Sequence, residues 1–413
     1  MTTLALPTRT RWVKFLAVAG PGIVVMFADT DAGSIVTAAQ SGARWGYRLL
    51  LIQIILAPVL FLVQELTVRL GVVTGKGHGD LISQHFGRGW AWLSVGTLLV
   101  ACVGALLSEL GGLAGVGLMY GVPAWITMTV VVLGLSIMAY TGSYLSVERI
   151  AMAFGAFELI FVLVAWRAHP DSQAMATTVL KLPLSDRNYL FLIAANIGAV
   201  IMPWMVFYQQ SAVIEKRIGI DDLSAARWDT ALGAVVTQVI MAAVLIVTAA
   251  TLGTAGSQVS LDTVQQIADA ISPYLGEHAG RLLFGMGMVG ASLVAAIVVT
   301  LTAARALGEV MGYHHSLGRT PREAPWFYAV YTIALIIAAV IVASGANLVS
   351  LGVGVQVMNA LLLPVVLGFL FLLAIRLPEP YRLKGAYSWL VGIVISGTVL
   401  LGVYAGVAGL FAD

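Results

Sequence analysis

The sequence predicts an all-α polytopic membrane protein, a single bundle of about eleven transmembrane helices. Three observations carry that prediction. Hydrophobic residues fill 60% of the 413 positions and charged residues only 10%, against about 25% charged in a soluble domain. Mean hydropathy over the whole chain is +0.95. Apolar runs of roughly 20 residues, the length that crosses the hydrocarbon layer, recur along the entire length.

Hydropathy, helix breakers and loop charges place spans at about 15–38, 46–68, 91–119, 123–141, 148–167, 189–214, 229–253, 281–310, 326–343, 347–375 and 387–411. The first follows a basic stretch, Thr8-Arg9-Thr10-Arg11-Trp12-Val13-Lys14. That order resembles a secretory signal. However, the apolar run carries two aspartates and lacks a small-residue cleavage site, so it reads as a span. Span two ends on Glu65 and Arg69, four apart and suited to pair or to snorkel towards the interface. Span three contains Gly111-Gly112 and Gly115, which permit close helix contact. Span five carries an isolated Glu158, which could line a pathway or bond a neighbour. Span eight holds little that is polar apart from Ser292 until Arg305 and Glu309, again four apart. Span ten carries Gln356 and Asn359 on one helix face. Pro378-Glu379-Pro380 punctuates the last loop.

The charges orient the bundle. With the N-terminus inside, 16 of the 22 Lys and Arg residues fall on the cytoplasmic side, and 6 fall outside (Arg44, Arg48, Arg167, Lys181, Arg187 and Arg281). This split follows the positive-inside rule and leaves the C-terminus outside. The formal net charge of +2 points to no nucleic-acid partner. Cys102 is the only cysteine, which excludes an internal disulfide and a thiolate cluster. No HExxH, GxSxG, P-loop or GxGxxG supports an enzyme, and no resident cofactor is implied. His314-His315 can bind metal as a pair, but reads first as a solvated loop.

Two interruptions mark the functional candidates. In span one, Asp29-Thr30-Asp31-Ala32-Gly33-Ser34 places two carboxylates near the bilayer centre. Ionisable residues at that depth usually face a water-filled pathway or a bound ion. Span one is expected to break at Gly33. In span six, Pro203 lies mid-membrane, where it removes a helical hydrogen bond and clashes with the preceding turn. Paired interrupted helices in corresponding positions point to a transporter of inverted repeats, with its site between the breaks. The whole chain, 1–413, then forms one domain: a first repeat over about 15–167, a second over about 189–375, and an added helix at about 387–411.

At these residues the chain resembles the Nramp (natural resistance-associated macrophage protein) family of divalent-metal transporters. Gly20-Pro21-Gly22 opens span one, and Asp31-Ala32-Gly33-Ser34 stands where the family carries DPGN. The likeness continues through Gln40-Ser41-Gly42-Ala43, Gly46-Tyr47 and the run Arg69-Leu70-Gly71-Val72-Val73-Thr74-Gly75-Lys76. In span six, Gly198-Ala199-Val200-Ile201-Met202-Pro203 resembles the family's metal-site segment. The match is good through span six and poor beyond it. The resemblance implies a LeuT-like inverted repeat, spans 1–5 and 6–10, with helices 1 and 6 interrupted. It also implies a metal held by Asp31, Ser34, the Ala199 carbonyl and the Met202 thioether, with Gln356 as a further candidate ligand from span ten. Physical chemistry agrees: a thioether favours softer transition metals over Ca²⁺ and Mg²⁺, although any Met also serves as pliable packing.

The departures bear on selectivity and coupling. Ser34 replaces the family's Asn and reaches less far. Asp29 is extra. It is either a second carboxylate for a harder ion, directly or through water, or a support that caps a half-helix. The family's span-six histidines are absent, with Trp204 after Met-Pro, and Leu106 stands where the family has an Asp. These changes put proton coupling in doubt. Glu109 is kept, either as a proton acceptor or as a satisfied polar residue in a Gly-rich helix.

The leading reading is an alternating-access transporter for divalent cations of the Mn²⁺/Fe²⁺ class, in a cell membrane. Alternatives are an Mg²⁺ transporter of the related branch and an amino-acid symporter on the same architecture. Two aspartates in the site argue against an anionic substrate. A metal sensor or intramembrane enzyme lacks a domain or a catalytic constellation.

Overall fold

The computed structural model describes residues 19–141, 144–253, 261–274, 276–314, 319–345 and 347–410. The start of span one (15–18) and His315 lie outside the described residues. Among those described, the ordered elements are helices. They are α1 (Pro21–Asp29), α2 (Ala32–Trp45), α3 (Leu50–Thr74), α4 (His78–Phe86), α5 (Arg88–Met119), α6 (Ala124–Thr141), α7 (Tyr144–Gly155) and α8 (Ile160–Arg167). There follow α9 (Ser172–Thr178), α10 (Arg187–Val200), α11 (Pro203–Glu215), α12 (Leu223–Thr251), α13 (Val264–Ile271), α14 (Glu277–Met311), α15 (Pro325–Ala343), α16 (Leu348–Ala374) and α17 (Gly385–Leu410).

Ten stretches of the described residues are long and apolar enough to cross a membrane. One, Ala32–Thr74, covers 43 residues. As a single helix it would be roughly 65 Å long, twice the hydrocarbon thickness. It is interrupted at Gly46, whose φ of 59° ends α2. The stretch therefore holds the second half of span one and all of span two, so among the described residues the crossings number eleven, as the sequence predicts.

Burial separates the centre from the periphery. The span built from α10 and α11 is 94% buried over its most apolar window, whereas the one formed by α6 is 17% buried. Val130, Ile137, Trp389 and Leu400 are exposed on α6 and α17. An apolar belt of this kind belongs against lipid, because in water it would drive association. Glycines let the central helices touch. A Cβ on Gly198 would fall on the Gln356 carbonyl, with the Ala360 amide nitrogen 2.7 Å away. Backbone cannot yield as a flexible side chain can, so α10 and α16 require a glycine there.

Both interrupted helices are present, and each break sits slightly away from the expected residue. Span one parts at Thr30-Asp31, between α1 and α2, and Gly33 lies inside the first turn of α2. Asp is a preferred N-cap, so the aspartate ends the irregular segment. Gly33 is needed for another reason: a Cβ on it would meet the Gln356 amide and, at 2.7 Å, the Ser108 hydroxyl. Span six parts at Ile201-Met202, and Pro203 is the first residue of α11. At that position its missing N–H would have been unpaired anyway. Span five also deviates, tightening to a 3-10 turn at Ala156–Leu159 between α7 and α8.

One end of the bundle is tied by charges. Lys216 pairs with Glu148 at 2.6 Å and donates to the Ala19 carbonyl at 2.7 Å. Asp229 accepts from the Gly22 amide at 2.7 Å, capping α1 from span seven. Arg305 pairs with Glu215, and its charge also acts on Glu309, four residues along. Glu309 also accepts from the Gly79 amide at 2.8 Å, at the start of α4.

His78, the first residue of α4, is buried against Phe207 in an edge-on contact of 4.8 Å, with Nδ1 3.0 Å from Gln210 Oε1. Burial pulls its imidazole down from 6.5 to about 4, against the opposing effect of the Gln210 bond. Between those values the unfolded chain binds a proton that the folded chain refuses. Stability therefore falls as pH drops through that window, by about 3 kcal/mol at its lower end. Melting temperatures measured from pH 7.5 to 4.5 should fall less steeply in His78→Gln than in wild type. Equal slopes would remove His78 from the account.

Candidate metal centre

The break in span one creates the first half of the site. α2 begins without helical partners for its leading amides, and its positive end attracts anions. Asp31, in extended conformation at φ −69° and ψ 172°, accepts from the Ser34 amide through Oδ1 at 2.6 Å. Glu109 of α5 accepts from the Ala32 amide through Oε2 at 3.1 Å. One helix start thus holds two carboxylates from two spans. Their other oxygens, Asp31 Oδ2 and Glu109 Oε1, are buried without hydrogen-bond partners.

The break in span six supplies the second half. Helical bonding would give the Ala199 carbonyl to the N–H of residue 203, but residue 203 is proline and has none. The freed oxygen instead accepts from the Ser34 hydroxyl at 3.0 Å. Met202 follows in extended conformation, φ −100° and ψ 141°. Trp204 Nε1 lies 3.1 Å from its sulfur and donates to it, which fixes the thioether.

Span ten closes the arrangement. Gln356 Nε2 donates to Asp31 Oδ1 at 3.2 Å, and Asn359 Nδ2 donates to Gln356 Oε1 at 2.8 Å. Asn359 Oδ1 has no partner. The structure therefore brings Asp31, Ser34, Ala199 and Gln356 into one hydrogen-bonded chain, with Glu109 beside it. Met202, one residue past the span-six break, stands with its sulfur against Trp204. All six are buried.

Asp29 is placed differently. Its Oδ2 accepts from the Thr237 hydroxyl of span seven at 3.4 Å, on α12 and away from the Gln356 partner of Asp31. Glu158, which the sequence leaves without an obvious partner, is also buried near this side of the break. Sequence reasoning passed over Thr237, Ser108 and the sulfur contact of Trp204. Threonine and serine in an apolar helix commonly bond their own i−4 carbonyl, so their presence gives no signal.

Among the described residues, no three His, Cys, Asp or Glu side chains converge on a point that would hold a metal ion. The assembled donors are of another kind: one carboxylate with a carbonyl, a hydroxyl, an amide and a nearby thioether. Such a set suits a divalent cation that accepts both oxygen and sulfur.

Fold and site together define a broken-helix membrane bundle with a buried cluster of polar groups between the interruptions of its first and sixth spans. The chain belongs to the natural resistance-associated macrophage protein-like (Nramp) family, whose model matches residues 22–408. Among curated proteins it is similar to a divalent metal cation transporter MntH of Ralstonia nicotianae, 29% identical over 296 residues, covering 68% of this chain and 66% of that one. A Nostoc sp. MntH is 26% identical over 414 residues, covering 94% and 90% of the two chains. Among solved structures, the Eremococcus coleocola manganese transporter superposes with a TM-score of 0.75 at 20% identity, over 100% of this chain and 91% of that one. A nucleobase-cation-symport-1 family transporter in a closed conformation superposes at 0.59 and 14% identity, over 95% and 90%. At such identities these two superpositions establish the fold alone.

Proposed function

We propose that this protein is a secondary transporter that carries divalent cations of the Mn²⁺/Fe²⁺ class across a cell membrane by alternating access. The observation that carries the reading is the carbonyl freed by Pro203, held 3.0 Å from Ser34 on the helix that Asp31 caps. A cation entering here displaces two internal hydrogen bonds, Ser34 to Ala199 and Gln356 to Asp31, and takes their acceptor oxygens as ligands. Gln356 then offers its own amide oxygen by turning about its terminal torsion. The unpaired Asp31 Oδ2 supplies the charge. The family membership and the MntH relatives support the same assignment.

The site is buried from both ends, so access requires one group of helices to rock against another. The charged ties at Lys216–Glu148 and Asp229–Gly22 join the start of span one to spans five, six and seven, and opening on that side must break them. The excess of Lys and Arg there supports a cytoplasmic position for it and for the N-terminus. The two repeats, about 15–167 and 189–375, are the bodies expected to move within the single domain, with the last helix as an appendage. Glu109, capped on one oxygen and free on the other, is the group placed to take a proton if transport is proton-coupled.

Uptake into proteoliposomes tests the assignment, with Mn²⁺ and Mg²⁺ as substrates and a pH dye inside. Mn²⁺ uptake that Mg²⁺ fails to inhibit supports the transition-metal reading, whereas Mg²⁺ uptake without Mn²⁺ uptake supports the magnesium alternative. Flux of neither metal removes both. Met202→Ala should lower Mn²⁺ uptake by about tenfold and relax exclusion of Mg²⁺, because the remaining donors are all oxygen. Unchanged selectivity in this variant would assign Met202 to packing alone.

A further inference from the structure

The unwound segment of span one has a second face. On it, Glu158 stands in the 3-10 turn of span five, fully buried, and neither of its carboxylate oxygens has a hydrogen-bond partner. The Thr30 hydroxyl is the polar group beside it, and the charges that act on it come from Asp29 and Asp31, of its own sign. Thr30 Oγ lies 2.8 Å from Thr237 Oγ, and Thr237 lies 3.4 Å from Asp29 Oδ2. The other Asp29 oxygen, Oδ1, is buried and unpartnered. Three orphaned carboxylate oxygens and two hydroxyls therefore gather between spans one, five and seven. A buried carboxylate left in this state is costly, and such residues are normally paired, hydrogen-bonded or on a metal.

We propose that Glu158, Asp29, Thr30 and Thr237 form a second cation subsite, separate from the Asp31 centre, for a hard cation bound by oxygen atoms alone. A cation held between the two carboxylates would answer both negative charges, which a single proton cannot do. The two threonine protons are shared among three contacts, to the Met26 carbonyl, between the hydroxyls and to Asp29. Their lone pairs remain for a cation. The absence of sulfur or imidazole from this donor set distinguishes it from the Asp31 centre and favours alkali or alkaline-earth ions. Burial selects further: Mg²⁺ surrenders its waters reluctantly, which leaves Na⁺ and Ca²⁺ as the ions to test. Occupation would join the end of α1 to spans five and seven, and so couple the subsite to the same segment that carries Asp31.

The test measures thermal stability of the purified full-length protein in choline chloride at fixed pH, titrated with NaCl, KCl or CaCl₂. Wild type should gain melting temperature saturably with Na⁺ or with Ca²⁺, and K⁺ should have a weaker effect. Glu158→Gln should raise the half-saturating concentration at least tenfold, and Thr237→Val, which keeps both carboxylates, should raise it several-fold. Asp31→Asn should leave this response in place while losing Mn²⁺ binding, so the two sites fail separately. A saturable response to Na⁺ identifies a monovalent subsite, and one to Ca²⁺ a divalent subsite. No response in wild type, an unchanged response in both Glu158→Gln and Thr237→Val, or loss of the response in Asp31→Asn would overturn the proposal.

Discussion

Asp31→Asn is expected to abolish Mn²⁺ uptake, lowering it at least a hundredfold, while leaving the protein folded. The carboxylate has two separable duties. Through Oδ1 it caps α2 by accepting from the Ser34 amide at 2.6 Å. Asparagine is as good an N-cap as aspartate, so that duty survives the substitution. Through Oδ2, which has no partner, it offers the charge that a divalent ion requires after losing its waters. No neutral oxygen replaces that charge in a buried site. Asp31→Ala should lose both duties, adding about 1 kcal/mol of destabilisation from the lost cap. Uptake and melting temperature measured on both variants separate the two effects. Retained Mn²⁺ flux in Asp31→Asn would exclude this aspartate as a ligand.

The second large effect is expected at Glu65, far from the metal centre. Its carboxylate accepts from Arg69 at 2.6 and 2.8 Å and from Arg227 at 2.7 Å. Arg69 also reaches the Tyr381 carbonyl at 3.3 Å, so spans two and seven and the loop after span ten meet at this group. Glu65 and Arg69 are both buried. Removing one partner leaves the other charge buried and uncompensated, at a cost of about 3–5 kcal/mol. Glu65→Ala should therefore lower the melting temperature sharply. Glu65→Leu with Arg69→Met should recover much of the loss, because the pair is worth less than either stranded charge. A double variant as unstable as the single one would locate the effect in packing and not in charge.

Much of this protein is legible in one dimension because a bilayer makes few demands and makes them repeatedly. A spanning helix must satisfy its own backbone, so length and apolarity alone mark it. The eleven crossings, the lipid-facing belt and the two interrupted spans follow from that rule. Asp31 was conspicuous because charge is expensive at membrane depth, and Pro203 because it cannot donate. Together with the family resemblance, they point to Ser34, Ala199 and Gln356.

The sequence was less informative where the partner lies far along the chain. Arg305 and Glu309 stand four apart, and nothing local announces that Arg305 pairs with Glu215 or that Glu309 accepts from the start of α4. The sequence placed the span-one break at Gly33, whereas that glycine is required by the approach of Ser108 and Gln356. Asp29, with only Thr30 between it and Asp31, is open in the sequence to a ligand or a supporting role, yet the break sends Asp29 to Thr237 on α12 and Asp31 to Gln356 on α16.

The sequence by itself determined the class of protein, the number of crossings, which two spans are interrupted, and the aspartate at the centre. Each rests on a local cost, that of exposing polar groups to lipid or of denying a helix its hydrogen bonds. Only the tertiary structure decided which face of the broken segment each carboxylate serves, and which of them remains unpaired. Those outcomes depend on helices hundreds of residues apart meeting at one depth in the membrane, and no local pattern encodes that meeting.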